Sequence, residues 1–408
     1  MDNRDFLRLN ARWLSAGALL AFLSSFGQTY FISVFAGEIR AAFDLGHAAW
    51  GAIYTLGTGA SALAMLWAGA LTDRFRARTL GTAILGLLAI ACLTMAAVPG
   101  AWALPLVILA LRFTGQGMTS HIAMVAMSRW FIAARGRALS IATLGTAIGE
   151  ALLPITFVAL LTVLDWRVLW VLAAVMALAG IPLLRILLVR ERTPQSFAAE
   201  GGATLGMLDR HWTRREGLRH WLFWFMVPAL LGPAAFNTAF FFQQVHFAEI
   251  KGWTHLSLVA LFPVYTVTGV TSMLVSGWAL DRVGTGRLMP WFQLPMVGAF
   301  VIFATATTPS AALFGIFLLG VTTGANVTLP NAFWAEFYGT RHLGAIKAMA
   351  AAVMVLGTAI GPGVTGALIG LGVGLEAQYL AVAVYFVFAS ALMAIGVTRA
   401  RPLLSRPA

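Results

Sequence analysis

Apolar residues run in long stretches with few charges, such as Gly81 to Val98 and Gly145 to Leu164, and charged residues gather in the short gaps between them. A stretch of about 18 or more such residues reads as a helix that crosses a bilayer. Twelve stretches meet the description, at 13–36, 48–71, 79–98, 103–128, 137–162, 167–189, 219–247, 255–279, 287–307, 310–334, 344–371 and 376–398. The longest polar segment, residues 190–218, predicts an irregular cytoplasmic linker between a six-span bundle at 1–189 and a second at 219–408. The expected fold class is an all-α membrane protein: twelve transmembrane helices in two pseudo-symmetric six-helix bundles.

The two halves read as copies of one unit. The string LGTAIG runs from Leu144 to Gly149 and again from Leu356 to Gly361, 212 residues later. AGALTDR (Ala68–Arg74) follows span 2 and SGWALDR (Ser276–Arg282) follows span 8, with Asp73 and Asp281 208 residues apart. Glu38 and Glu249, after spans 1 and 7, are 211 apart. Parallel repeats of this kind place a binding site near the bilayer midplane. The Gly145/Gly149 and Gly357/Gly361 pairs have the small-x-x-x-small spacing of close helix contacts, and they predict a sliding or hinge surface.

Composition supports the membrane reading: 60% of residues are hydrophobic and 10% charged, against about 25% charged in soluble domains. The net charge of +12 does not point to nucleic acid. With both termini inside, Arg40, Arg167 and Lys251 are the basic residues of outer loops, and Arg112 lies within a span. The other Lys and Arg fall on the cytoplasmic side, the positive-inside pattern, so the natural partner of the charge is anionic inner-leaflet lipid. The expected location is the bacterial inner membrane, as a monomer. The polar start, MDNRDFLRLNARW, predicts that span 1 is an uncleaved anchor. Cys92 is alone, inside span 3, and reads as packing.

On these motifs the chain resembles the major facilitator superfamily. The most specific mark is Gly, three residues, then Asp-Arg in a short cytoplasmic loop: Gly69, Asp73 and Arg74, repeated as Gly277, Asp281 and Arg282. A narrower resemblance, to the monocarboxylate porter and oxalate-formate antiporter branch, rests on WFIAARGRALSIATLGTAIG, where Trp130, Phe131, Arg135, Ala138, Ala142, Gly145 and Gly149 fall in register. Gly27, Thr29 and Tyr30 match part of that branch's span-1 pattern. The resemblance implies a carrier, and the branch implies a small organic anion such as a monocarboxylate.

Candidate chemistry centres on Arg112, ten residues into span 4. A charge at that depth costs at least ~2.5–3.5 kcal/mol, so it must face a partner or a cavity. At 100° per residue Arg112, Gln116 and Thr119 share one face. A guanidinium fork matches carboxylate geometry, so Arg112 is expected to bind the anion. Glu150 in span 5 is either a proton-coupling group or the fixed ion-pair partner of Arg112. Gln28 and Tyr30 in span 1, Asn237, Phe241 and Gln244 on one face of span 7, and Asn326 in span 10 are the further substrate-contact candidates. His121 lies half a turn from Arg112 and reads as packed. Asp73, Arg74, Asp281 and Arg282 read as gating charges. No Walker loop, metal-ligand cluster or catalytic triad spacing is present, so no cofactor, metal or enzymatic reaction is expected. Two other readings stay open: an efflux pump for hydrophobic or cationic compounds with Glu150 as counter-charge, and a solute sensor that moves nothing.

Overall fold

A computed structural model describes residues 3–69, 71–131, 135–190, 205–339 and 341–404. It is helical throughout, and no strand occurs among the described residues. Among the described residues nine helices are long and apolar enough to cross a membrane: Ala77–Ala96, Ala101–Trp130, Arg137–Leu161, Trp166–Leu187, Trp221–Phe242, His255–Leu280, Pro309–Tyr338, Ala345–Gly370 and Leu375–Leu403. Span 2 is the 22-residue helix His47–Ala68. Each of the twelve segments expected from the sequence therefore carries a helix, once two departures are noted. Span 1 is not continuous: Phe6–Gly27 and Thr29–Ala42 meet at a 48° bend. The break falls at Gln28, whose extended backbone (φ −84°, ψ 152°) interrupts the helical ladder. Span 9 is short, Leu294–Thr305, preceded by one turn at Thr285–Leu288.

Polar caps close several helix ends. Asp165 accepts from the Arg167 amide at 2.8 Å, and Thr254 and Thr308 accept from the amides of Ser257 and Ala311, each at 3.2 Å. These caps satisfy end groups that lipid cannot. The span flanks are apolar and open, with Leu56 at 64%, Phe314 at 67% and Val384 at 69% exposed. Water would not tolerate such surfaces, and a bilayer covers them.

By contacts the chain divides into two compact units, Met1–Ala198 with Phe241–His246, and Ala199–Phe240 with Phe247–Ala408. Inside unit 1, Phe26, Phe31, Phe35, Phe157 and Trp170 pack edge to face or tilted. Inside unit 2, Phe240 stacks on Phe303 at 4.4 Å, and Phe300 stacks on Phe386. The LGTAIG glycines lie in tight seams. A Cβ on Gly145 would stand 2.0 Å from the Ala18 carbonyl oxygen, and one on Gly149 2.0 Å from Ser25 Oγ. In unit 2, Cβ atoms on Gly357 and Gly361 would stand 2.8 and 2.3 Å from the carbonyl oxygens of Leu231 and Ala235. Span 5 thus presses on span 1, and span 11 presses on span 7, in the same register.

The linker departs from the irregular segment expected. Of its residues, 191–204 lie outside the described part. The rest is built: Arg214–Arg219 is a helix opened by a capping box, in which Thr213 and Glu216 bond reciprocally. Met207 and Trp212 are buried, and the Trp212 amide bonds the Tyr338 carbonyl at 3.1 Å, so this stretch is tied to the end of span 10.

Candidate functional site

Unit 1 buries Arg112, at 3% exposure. The local reason is a crossing of two irregular segments. Residues Arg112–Thr119 form a π-helix inside span 4, bonded i to i+5 rather than i to i+4. The same helix carries a side-chain echo of that spacing, Thr119 Oγ1 to the Thr114 carbonyl at 2.7 Å. Against it lies the break of span 1. Gly27 and Gly115 let the two backbones touch: a Cβ on Gly27 would stand 2.2 Å from the Leu111 carbonyl oxygen, and one on Gly115 2.6 Å from the Gly27 Cα.

That closeness fixes the guanidinium. Nη1 donates to the Gly27 carbonyl and to Thr29 Oγ1, both at 3.2 Å. Thr29 Oγ1 also accepts from the Tyr54 hydroxyl at 2.8 Å, and the guanidinium carbon stands 5.6 Å from the Tyr54 ring centre. Nε is buried and bonds to nothing. No carboxylate is within ion-pair distance of Arg112 among the described residues. The pairing with Glu150 left open by the sequence is therefore absent. Glu150 is half-buried. The common face expected for Arg112, Gln116 and Thr119 also needs correction. Wider π turns displace the 100° register; Arg112 and Thr119 are buried, while Gln116 is only half-buried.

A cover closes this cluster from residues 241–246, which pack with unit 1. Phe242 stacks on Trp50 at 5.7 Å and lies 4.6 Å from Tyr54. Gln244, fully buried, donates to the Tyr30 carbonyl at 3.1 Å. The Tyr30 hydroxyl donates to Ser25 Oγ at 2.8 Å. Phe241 is buried as well. Span 7 breaks at Gln243, between the helices Trp221–Phe242 and Gln244–Ile250. The break leaves Asn237 and Phe241 on one helix and puts Gln244 on the next, and by contacts Asn237 belongs to the other unit.

Unit 2 holds a smaller polar cluster. Asn237 Nδ2 donates to the Tyr265 hydroxyl at 2.9 Å, and that hydroxyl donates to Thr323 Oγ1 at 3.2 Å. Asn237 Oδ1 is buried with no hydrogen-bond partner. Tyr265 and Thr323 were not singled out from the sequence, yet the repeat offset marks them. Tyr265 stands 211 residues after Tyr54, and Thr323 stands 211 after Arg112. Each unit thus carries a tyrosine of its second helix beside a polar residue of its fourth. Asn326, half-buried, joins no hydrogen bond in this cluster.

The gating candidates are resolved in part. The side chains of Asp73 and Asp281 lie outside the described residues. Arg74 is exposed, and Arg282 stacks over the Trp278 ring at 4.2 Å. Beside Asp73, Arg129 from span 4 donates to the Thr72 carbonyl at 2.7 Å. His121 is half-buried, and its Nε2 stands 3.6 Å from where a Gly69 Cβ would be.

A model of the Major Facilitator Superfamily matches residues 17–312, well over half of the sequence. The chain belongs to the major facilitator superfamily. Membership makes it an integral membrane transporter and not an enzyme. Solved superfamily structures share its fold across nearly the whole length. One is a bacterial homolog of the human lysosomal transporter Spinster, solved inward-facing and unoccupied: TM-score 0.74, 15% identity, covering 98% of this chain and 99% of that one. Another is the nucleoside transporter NupG: TM-score 0.70, 14% identity, covering 95% and 99%. A search of curated proteins finds no match. Among the described residues no group of three or more His, Cys, Asp or Glu is placed to hold a metal ion.

Proposed function

We propose that the protein is a secondary active transporter that carries a small organic anion, of the monocarboxylate type, across the bacterial inner membrane by alternating access. The observation that carries this reading is the Arg112 guanidinium, buried with no carboxylate partner and with Nε unbonded. Leaving a buried charge uncompensated is expensive. A backbone carbonyl, a hydroxyl and a ring face offset part of that cost, and an incoming carboxylate supplies the remainder through the planar fork.

In this reading Gln116 and Gln28 lie beside the anion in unit 1, and in unit 2 Asn237, with its unpartnered Oδ1, and Asn326 remain candidates for substrate contact. Tyr30, Phe241 and Gln244 serve as the cover, since the polar ends of Tyr30 and Gln244 are already bonded within unit 1. Glu150 takes up and releases the coupling proton. Asp73, Arg74, Asp281 and Arg282 act as cytoplasmic gate charges, and both termini face the cytoplasm. The bundles at 1–189 and 219–408 act as the two moving bodies of a monomer.

The test is uptake of labelled carboxylates into proteoliposomes under an imposed proton gradient. Saturable uptake that Arg112→Gln abolishes supports the reading. Transport of cations that survives Arg112→Gln and fails in Glu150→Gln overturns it in favour of efflux of cationic compounds.

A further inference from the structure

Away from the Arg112 cluster, unit 2 carries an open cleft of about 1010 Å³ at the inner ends of its helices. Pockets that hold small ligands run to roughly 300–1,000 Å³, so this one is roomy. Its walls come from four places: the linker at Leu205 and Gly206, the turn Val283–Arg287 after span 8, the end of span 10 at Ala332, Ala335 and Glu336, and the end of span 12 with Arg401 and Leu404.

Glycines shape it. Gly284 at φ +83° takes a conformation that L side chains rarely adopt, and it ends span 8 so that the chain turns along the cavity. A Cβ on Gly206 would stand 2.5 Å from the Gly339 amide nitrogen, so only glycine lets the linker lie against the end of span 10. Arg401 lies along Gly286, its Cδ 3.5 Å from where a Cβ would be, and Gly286 is the residue before Arg287.

The charges in this cavity are unbalanced. Among the described residues two exposed guanidiniums, Arg287 and Arg401, share it with one exposed carboxylate, Glu336. Among the described residues, neither arginine has a carboxylate within ion-pair distance, and Glu336 pairs with neither. Cations left unpaired in a common concavity attract an anion, and paired guanidinium forks fit the oxygens of a phosphate. The apolar part of the wall, Leu205, Val283, Ala332, Ala335 and Leu404, suits the carbon body that carries the phosphate.

We propose that this cavity binds a phosphate-bearing anion through Arg287 and Arg401, at a site separate from that of the transported solute. The phosphate belongs either to a free cytoplasmic ion or to the headgroup of an anionic inner-leaflet lipid, since basic pockets at this face attract both. Because the linker forms one wall, occupancy ties the linker to the ends of spans 8, 10 and 12.

The test uses full-length protein in an uncharged detergent and reads the shift in melting temperature. One arm titrates sodium phosphate against sodium chloride at equal ionic strength; the other adds phosphatidylglycerol against phosphatidylcholine in mixed micelles. Saturable stabilisation is expected in at least one arm, and the arm that responds names the source. In Arg287→Gln/Arg401→Gln the midpoint moves by about tenfold or more, whereas the linker pair Arg214→Gln/Arg215→Gln leaves it in place. Ala335→Trp keeps both arginines and fills the cavity. It loses the response too, and it decides the matter should the double variant fail to fold. The proposal is overturned by no shift in either arm, by a shift that survives both Arg287→Gln/Arg401→Gln and Ala335→Trp, or by equal loss in the linker pair.

Discussion

At the scale of single residues, Arg112 stood out in the sequence because a charge deep in an apolar span costs too much to be idle. Its surroundings did not. Sequence reasoning offered Glu150 as a partner, since opposite charges at similar depth are the visible signal. The actual partners are a carbonyl, a hydroxyl and a ring, at Gly27, Thr29 and Tyr54. They meet Arg112 because Gly27 and Gly115 bring two backbones together, which no charge pattern displays. Two outcomes follow for transport. Arg112→Lys, which keeps the charge and loses the fork, lowers uptake at limiting substrate by about tenfold, and Arg112→Gln by about a hundredfold; initial rates in proteoliposomes measure both. Glu150→Gln removes the response to a proton gradient and leaves counterflow exchange intact. Cytoplasmic acidification by this variant at the wild-type ratio would remove Glu150 from coupling.

Among the helices, length and apolar periodicity announced where spans lie, and they did not announce where spans fail to be α-helical. The break at Gln28 and the π turns at Arg112–Thr119 lie where Gly27 and Gly115 bring two backbones together, which a single-helix pattern does not display, whereas the late start of span 9 follows Pro290 and has Pro295 in its first turn. The repeated LGTAIG was legible as a duplicated element. Its glycines prove to be contact points, with no room for even one carbon. Gly145→Leu and Gly361→Leu should each destabilise by ~1–3 kcal/mol or more through overpacking, read as earlier thermal aggregation in detergent. Ala138→Gly in the same span should move it far less. In the linker, the Glu216 carboxylate accepts from the amide and hydroxyl of Thr213, which holds its pKa below the ordinary value. A depressed folded-state pKa means the contribution is present above the unfolded value of about 4.3 and fades as pH falls through the folded one. Hydrogen-exchange protection at residues 214–219, taken relative to the intrinsic exchange rate at each pH, should therefore fall below about pH 4 and hold between pH 6 and 8.

For the whole molecule, the all-α membrane fold was readable from hydropathy, and the duplication from three matching offsets. The second polar cluster, at Asn237, Tyr265 and Thr323, was hidden because threonine replaces arginine at the repeated position, so no buried charge drew attention to it. The offset of 211 recovers it once Tyr54 is known to matter. The basic residues imply a definite topology. Cysteine placed at Gly252 should react with an impermeant maleimide from outside intact cells, and cysteine at Arg214 only after permeabilisation. The native Cys92 is fully buried and should stay silent in both. Labelling of both sites from the same side would refute the arrangement.

The account turns on whether the unpaired guanidinium in span 4 receives an anion. A thermal-shift panel of small carboxylates, matched neutral analogues and organic cations, run on purified wild-type protein and on Arg112→Gln, measures this without assuming a direction of transport. The account predicts that at least one carboxylate stabilises the wild type in a saturable way, that its neutral analogue does not, and that the shift vanishes in the variant. Stabilisation by cations or neutral compounds alone, or a carboxylate shift of equal size in Arg112→Gln, would contradict it.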